Sequence, residues 1–257
     1  MPRKENPIVS FVNHKGYRQR IYTNYVNARN KSIAPKTPDG LRPRVPYLQQ
    51  LVRRHFPVTK DAAILDLGCG HGALVHVLEM AGYTKVRGID VSQEQVSAAR
   101  VLGIKGVEQG NLIEVLDGIE SGSQDVVVTF DVIEHFTKQE LVFLVEKIKQ
   151  VLRPKGRWII HTPNGESPFA ARMRYWDFTH ETVFTRTSLS QMLMAYGFNT
   201  VRCYEDKPVA HGLKSFIRYL LWALIRSMLL LYIAAETGEL DRQAIFSQNF
   251  IAVAYIS

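Results

Sequence analysis

Residues 64–72 read Ile-Leu-Asp-Leu-Gly-Cys-Gly-His-Gly, so a carboxylate, Asp66, stands just ahead of glycines at 68, 70 and 72. Glycine has no Cβ and accepts positive φ, so such a turn lets the backbone close on a ligand. Eighteen residues past Gly72 comes Asp90, in Ile-Asp-Val-Ser, where a carboxylate can accept hydrogen bonds from a ribose diol. Cys69 lies inside the turn, where a small side chain suffices, and no chemistry is assigned to it. The spacing is not the G-x-G-x-x-G of a dinucleotide site. A pyrophosphate rests on a helix N-terminus, whereas Asp66 brings negative charge to the turn. That suits a ligand with an ammonium and a sulfonium better than one with two phosphates.

Two clusters further on could move a proton. Asp131-Val-Ile-Glu134-His135 follows an apolar run, and residues 163–187 hold a mixture of acids, aromatics, Arg and His. Within that stretch Asn164, Arg174, Tyr175, Trp176, Asp177 and Glu181 suit a pocket gripping a polyhydroxy ring, with aromatic faces for stacking and polar groups for hydroxyls. A hydroxyl acceptor needs a base; His180 is the first candidate and His135 the second. The plainer reading is a loop whose aromatics pack on a sheet, with His135 orienting a backbone group.

These residues need a frame at strand ends. Ala63–Leu67, Val86–Ile89, Gly106–Gln109, Asp125–Phe130, Arg157–His161, Thr200–Tyr204 and Gln248–Ile256 read as strands. Helices are expected over Tyr47–Phe56, Ala73–Met80, from Ser92 to about Leu102, after the Thr137-x-x-Glu140 capping box, and from a Ser188-x-x-Gln191 cap to Gly197. Arg18–Lys31 also has helical character, and prolines 35, 38, 43 and 46 prevent a long helix between 35 and 46. The alternation predicts an α/β, doubly wound, seven-stranded Rossmann-like sheet.

At residues 64–72 and 86–90 the chain resembles the class I S-adenosylmethionine-dependent methyltransferases. The resemblance covers roughly residues 47–204 and 248–256, and implies a last strand antiparallel to its neighbours. It also implies S-adenosyl-L-methionine as cofactor. Asp66, Gly68, Cys69, Gly70 and Gly72 would then contact the methionine end and the turn. Asp90 would hold the ribose with Val91 beside the adenine, Asn111 and Leu112 would meet the adenine amino group, and Asp131 and Val132 would lie under the methionine portion. Asn111 closing a turn and Asp131 capping the next segment remain open. Asp131–His135 is similar to the ExxEH segment of quinone and small-RNA O-methyltransferases, where acids and His can hold a divalent metal. Here Asp131 replaces the first Glu, and no metal ligand set is assigned.

The chain has 257 residues, 46% hydrophobic, with a formal net charge of +8. Residues 1–60 hold thirteen Lys or Arg against Glu5 and Asp39, so the positive surplus lies there. Residues 1–46 read as a basic segment and 47–257 as the methyltransferase domain. Cys69 and Cys203 have no CxxC partner, which fits a reducing cytoplasm. The polar, basic N-terminus does not read as a secretory signal.

Residues 205–247 form an insertion before the last strand, with Phe216–Ala235 almost continuously apolar. Arg218 and Arg226 interrupt it, and an Arg at a bilayer centre costs about 2.5–3.5 kcal/mol. At ~100° per residue, Lys214, Arg218 and Arg226 share an arc of about 120°. Ile217, Leu220, Leu224, Met228 and Leu231 fill the opposite face. The expected form is an in-plane amphipathic helix with Tyr219 and Trp222 at its interfacial edge; a homodimer contact or a lid is the alternative. Together with the basic segment this favours an acceptor at an anionic membrane face, such as a glycan or a prenyl- or lipid-linked molecule. A small-molecule or quinone acceptor is the alternative, as is a non-catalytic scaffold. No RNA-binding module is present, which argues against nucleic acid.

Overall fold

The structure, a computed structural model, describes Ile21 and residues 34–257. The expected Arg18–Lys31 helix and most of the basic segment lie outside the described residues. The strands are β1 (Ala63–Leu67), β2 (Lys85–Asp90), β3 (Val107–Gln109), β4 (Gln124–Phe130), β5 (Leu152–Pro163), β6 (Thr200–Glu205) and β7 (Asn249–Tyr255). They form one sheet in the order β3-β2-β1-β4-β5-β7-β6. β1 to β5 pair parallel, while β7 runs antiparallel to both β5 and β6, as expected.

Helices α1 (Val45–His55), α2 (Ala73–Met80), α3 (Gln93–Val101), α4 (Leu112–Asp117), α5 (Lys138–Val151), α6 (Ala170–Arg174), α7 (Arg186–Ala195) and α8 (Leu213–Thr237) connect or cover the strands. Side chains alternate across a pleated strand. Accordingly Val126 and Val128 of β4 join a core layer with Leu48 of α1, Leu78 of α2 and Val96 of α3. Val127 faces the other layer, with Leu144 and Ile148 of α5 and Leu189 of α7. Parallel strands covered on both faces explain the unbroken Val-Val-Val run.

Three local expectations change. α1 begins at Val45, because Pro46 sits in its first turn, where a missing N–H breaks no helical bond. α7 is capped by Thr185, whose hydroxyl accepts from Ser188 N; Ser188 is the third helical residue and not the cap. Arg153–Gly156 does not separate α5 from the strand: β5 starts at Leu152 and carries an irregular register opposite Gln124 and Val126, with Lys155 at φ 65°.

α8 is held flat against the domain. At its middle, Arg226 donates to Glu205 Oε2 (2.9 Å) at the end of β6 and to the carbonyls of Arg242 and Ala244 (3.0 Å each). Its length and mean hydropathy of 1.6 would suffice to cross a membrane, and none of that apolar window is buried. Ile217, Leu220, Leu224, Met228 and Leu231 all face outward, from 49% to 71% exposed. Tyr219 and Trp222 are partly buried on the inner side rather than at an interfacial edge, because they share the face of Ser215 and Arg226.

Candidate functional site

The site lies at the C-terminal ends of β1, β2, β4 and β5, where open α/β sheets bind ligands. Leaving β1, the chain turns through Gly68, Gly70 and Gly72, at φ 75°, 57° and 77°. A Cβ at Gly68 would stand 2.4 Å from Val132 Cγ2, so the β1 and β4 exits approach too closely for any side chain there. The turn is strapped to β2, because Gly68 N and Cys69 N both donate to Ile89 O (2.7 and 3.0 Å). Asp90 receives Gly70 N on Oδ2 and Ser92 N on Oδ1, each at 2.8 Å. A carboxylate has about four acceptor positions, so it can hold both backbone donors and still accept from a diol. Val91 beside it is exposed.

Asp66 is buried, and its Oδ1 has no hydrogen-bond partner. Burial, aided by the charge of Asp90, pushes its carboxyl up to about 7. An orphaned buried acid beside the glycine turn fits a ligand that brings a cation, and a methionine ammonium is such a group. Burial raises the Cys69 thiol, in keeping with a residue that carries no chemistry.

Asn111 is the N-cap of α4: its Oδ1 accepts from Ile113 N (3.0 Å) and Glu114 N (3.5 Å). The oxygen expected to meet the adenine amine therefore serves the helix, and Leu112 is the first residue of that helix. Asp131 is neither cap nor free ligand. It has the strained φ of 56° and its Oδ1 lies 2.6 Å from His161 Nδ1. His161 Nε2 in turn lies 3.2 Å from Asp206, just past β6, and the ring stacks on Phe130 at 3.9 Å. Burial works against the imidazolium, but the two carboxylates outweigh it and hold His161 up to about 10. Burial would raise Asp131; the His161 cation and hydrogen bond, with Arg44, instead hold it below its ordinary value.

The second cluster converges beside Val132. The hydroxyl of Thr179 lies 2.7 Å from His135 Nδ1 and donates to Asp177 Oδ1 at 2.7 Å. Since that hydroxyl's proton points to Asp177, Thr179 accepts from His135 Nδ1–H, which makes Nε2 the acceptor nitrogen of the ring. His180 Nδ1 meets a carbonyl, Met173 O, at 2.9 Å, so it too carries the proton there. The two rings stand edge to face at 4.8 Å. Burial, with His180 adding, pushes His135 down to about 4, so it is neutral near pH 7.

Glu134 is buried; Oε2 accepts from Thr162 (3.1 Å) and Oε1 has no partner. Burial and the charge of Asp131 push it up to about 8. Glu134, His135 and His180 offer a carboxylate oxygen and two ring nitrogens within 4.8 Å of one another. These residues fit a divalent cation, which would polarise an acceptor oxygen there. Asp131 is not part of that group, because it turns to His161.

The acceptor loop divides. Tyr175 (81%), Trp176 and Phe178 (84%) are exposed and do not pack on the sheet. Arg174 donates to His180 O and so holds the histidine's backbone. Asp177 carries the Thr179 relay, and Glu181 N donates to Glu134 O at 2.8 Å. Asn164 is buried and fully committed: Nδ2 to the carbonyls of Ile245 and Ser247 (2.7 and 2.9 Å), Oδ1 to Glu166 N (2.9 Å). It ties β5 to the lead into β7 and cannot grip a substrate. His161, Thr179 and Asp206 were not singled out beforehand; in sequence they sit in an apolar strand, a loop and a strand end, with no motif around them.

The methyltransferase-domain family matches residues 42–202. A ubiquinone biosynthesis O-methyltransferase of Rickettsia bellii is 31% identical over 123 residues, 47% of this chain and 50% of that protein. The chain thus spans about half the length of that relative. A probable S-adenosylmethionine-dependent methyltransferase of Mycolicibacterium smegmatis is 28% identical over 190 residues, 70% of each chain. Among solved structures, a SAM-dependent methyltransferase from Archaeoglobus fulgidus aligns with a TM-score of 0.62 at 20% identity, over 84% of this chain and 96% of that one. Glycine turn, Asp90 at the end of β2, reversed last strand and family match agree, and the chain belongs to the methyltransferase-domain family.

Proposed function

We propose that the chain is an S-adenosylmethionine-dependent O-methyltransferase acting at a cytoplasmic membrane face on a hydroxyl of a glycan attached to a lipid carrier. The observation that carries the oxygen acceptor is the His135–Thr179–Asp177 relay beside the cofactor cleft. Bound here, S-adenosylmethionine would supply an electrophilic methyl group, with the thioether leaving on the S–CH₃ electron pair as the acceptor oxygen bonds to carbon. Asp66, buried with its Oδ1 unpartnered, is placed to meet the methionine ammonium, and the strapped turn fixes the donor end. His135 Nε2 takes the hydroxyl proton, and Thr179 with Asp177 holds the tautomer that can do so. His135 replaces His180 as first candidate because a carboxylate stands behind it. Exposed Tyr175, Trp176 and Phe178 supply faces for a ring.

The outward apolar face of α8, flanked by Lys214 and Arg218, supports the membrane reading. Arg226 pins the helix along the domain, which favours an in-plane position over a span. A quinone acceptor is the second reading, favoured by the Rickettsia relative's printed name.

Two measurements test this. Methyl-labelled cofactor is supplied with cell membranes or with a soluble extract, and the label should enter the membrane fraction as an O-methyl ether. Label confined to soluble molecules would remove the membrane acceptor. The full chain should also sediment with anionic vesicles, and Leu220→Lys/Leu224→Lys should not; equal sedimentation would instead leave α8 as a contact between copies.

A further inference from the structure

A second cavity lies next to the site. It has a volume of about 210 Å³ and is lined by Pro43 and Tyr47 at the start of α1, by residues 206–209 after β6, and by His211 and Arg218 at the start of α8. Whole drug-like ligands begin near roughly 300 Å³, so this space takes one group of a larger molecule. Its lining is cationic. Arg87, Arg153, Arg186 and Arg226 each pair with a carboxylate. Among the described residues neither Lys207 nor Arg218 has such a partner; Lys207 lies 5.8 Å above the Tyr219 ring. The acid in the lining, Asp206, is already answered by His161. Tyr47 Oη is buried there beside the Asp206 carboxylate, so Lys207 and Arg218 are the groups with charge to spare.

The cavity's place relative to the site follows from the same chain of contacts. Asp206 is one imidazole ring and two hydrogen bonds away from Asp131, at the edge of the cofactor cleft. An acceptor with its reacting hydroxyl near His135 would therefore project its next group into this space. The geometry points to a phosphate-ester site: the acceptor carries a phosphate close to the methylated hydroxyl, bound by Lys207 and Arg218 with His211. Arg matches phosphate oxygens with a planar fork and Lys adds a point charge. This rests on the proposed methyl transfer for the identity of the molecule, not for the binding of the phosphate.

The full-length chain is titrated with glycerol 3-phosphate, and with vesicles of phosphatidylcholine with and without phosphatidic acid. Lys207→Ala/Arg218→Ala is compared with Lys85→Ala/Lys105→Ala, an equal charge loss on the far strands. The pocket variant should weaken phosphate binding by about tenfold to a hundredfold, and the far variant should not. Binding of glycerol 3-phosphate places the source in a free phosphorylated acceptor. Binding only of phosphatidic acid vesicles, lost in the pocket variant, places it in a lipid headgroup. No phosphate binding in either form, or equal loss in both variants, overturns the site. S-adenosylhomocysteine is titrated into the same samples. Its failure to bind would remove the methyl-transfer reading and leave the phosphate result standing by itself.

Discussion

Thr179 Oγ1 lies 2.7 Å from His135 Nδ1 and donates its own hydrogen bond to Asp177. The ring is therefore held in the tautomer whose acceptor nitrogen is Nε2. Thr179→Val keeps the volume and removes the acceptor for Nδ1–H. Methyl transfer should fall by about 10²-fold, with binding of S-adenosylhomocysteine unchanged. Turnover at the normal rate in that variant would take the proton away from His135.

Gly68 combines a positive φ with a Cβ position 2.4 Å from Val132, whereas Gly82 has φ 88° and open space. Both Gly→Ala changes meet the left-handed backbone penalty of about 1–2 kcal/mol. Gly68→Ala should lose a further ~1–3 kcal/mol from the clash and most of its cofactor affinity. Thermal melts of the two variants side by side measure the difference; equal melting points would mean that the β1 and β4 exits relax freely.

His161 has its protonation raised in the folded state, so its contribution is present in full below about pH 6.5 and is lost as pH rises through about 10. His161→Gln should cost about 1–3 kcal/mol near pH 6.5, a range lowered because Asp131 is half exposed. The gap between the two proteins should narrow above pH 10. Melting curves at the two pH values check it, and a constant gap would mean that the ring is neutral.

His55, at the end of α1 and 4.8 Å from Tyr204, shows the opposite sign. Burial, with Arg54 and Arg157, lowers it to about 4. The unfolded chain then binds a proton between pH 6.5 and 4 that the folded one refuses, so stability drops as pH falls through that window. The effect is at most about 3 kcal/mol. His55→Phe should flatten that part of the stability–pH curve, read by urea melts at pH 7 and 5.

Much of this was readable before the structure. The glycine turn announces itself because only glycine tolerates φ near 75° at Gly68, and β1 and α2 bound it as expected. The alternation of strands and helices announces the doubly wound sheet, and the family resemblance implies the reversed last strand. Where side-chain oxygens go is another matter. Asn111 and Asn164 have the right chemistry for ligands, yet backbone N–H groups and carbonyls claim them. Sequence spacing also cannot show that His161 in β5 and Asp206 past β6 meet, because a strand reversed between them brings them together. Ser188 and Thr185 are both good caps; the helix uses the earlier one, with Ser188 as its capping-box partner.

The most direct test of the central claim is calorimetric titration of the chain with S-adenosylhomocysteine, alongside Asp90→Ala. The account predicts one binding event per chain in the wild type and a loss of about 10-fold or more in the variant, since each carboxylate hydrogen bond contributes about 1.5–3 kcal/mol. A chain that ignores this ligand and takes up a nicotinamide or flavin nucleotide instead would contradict it.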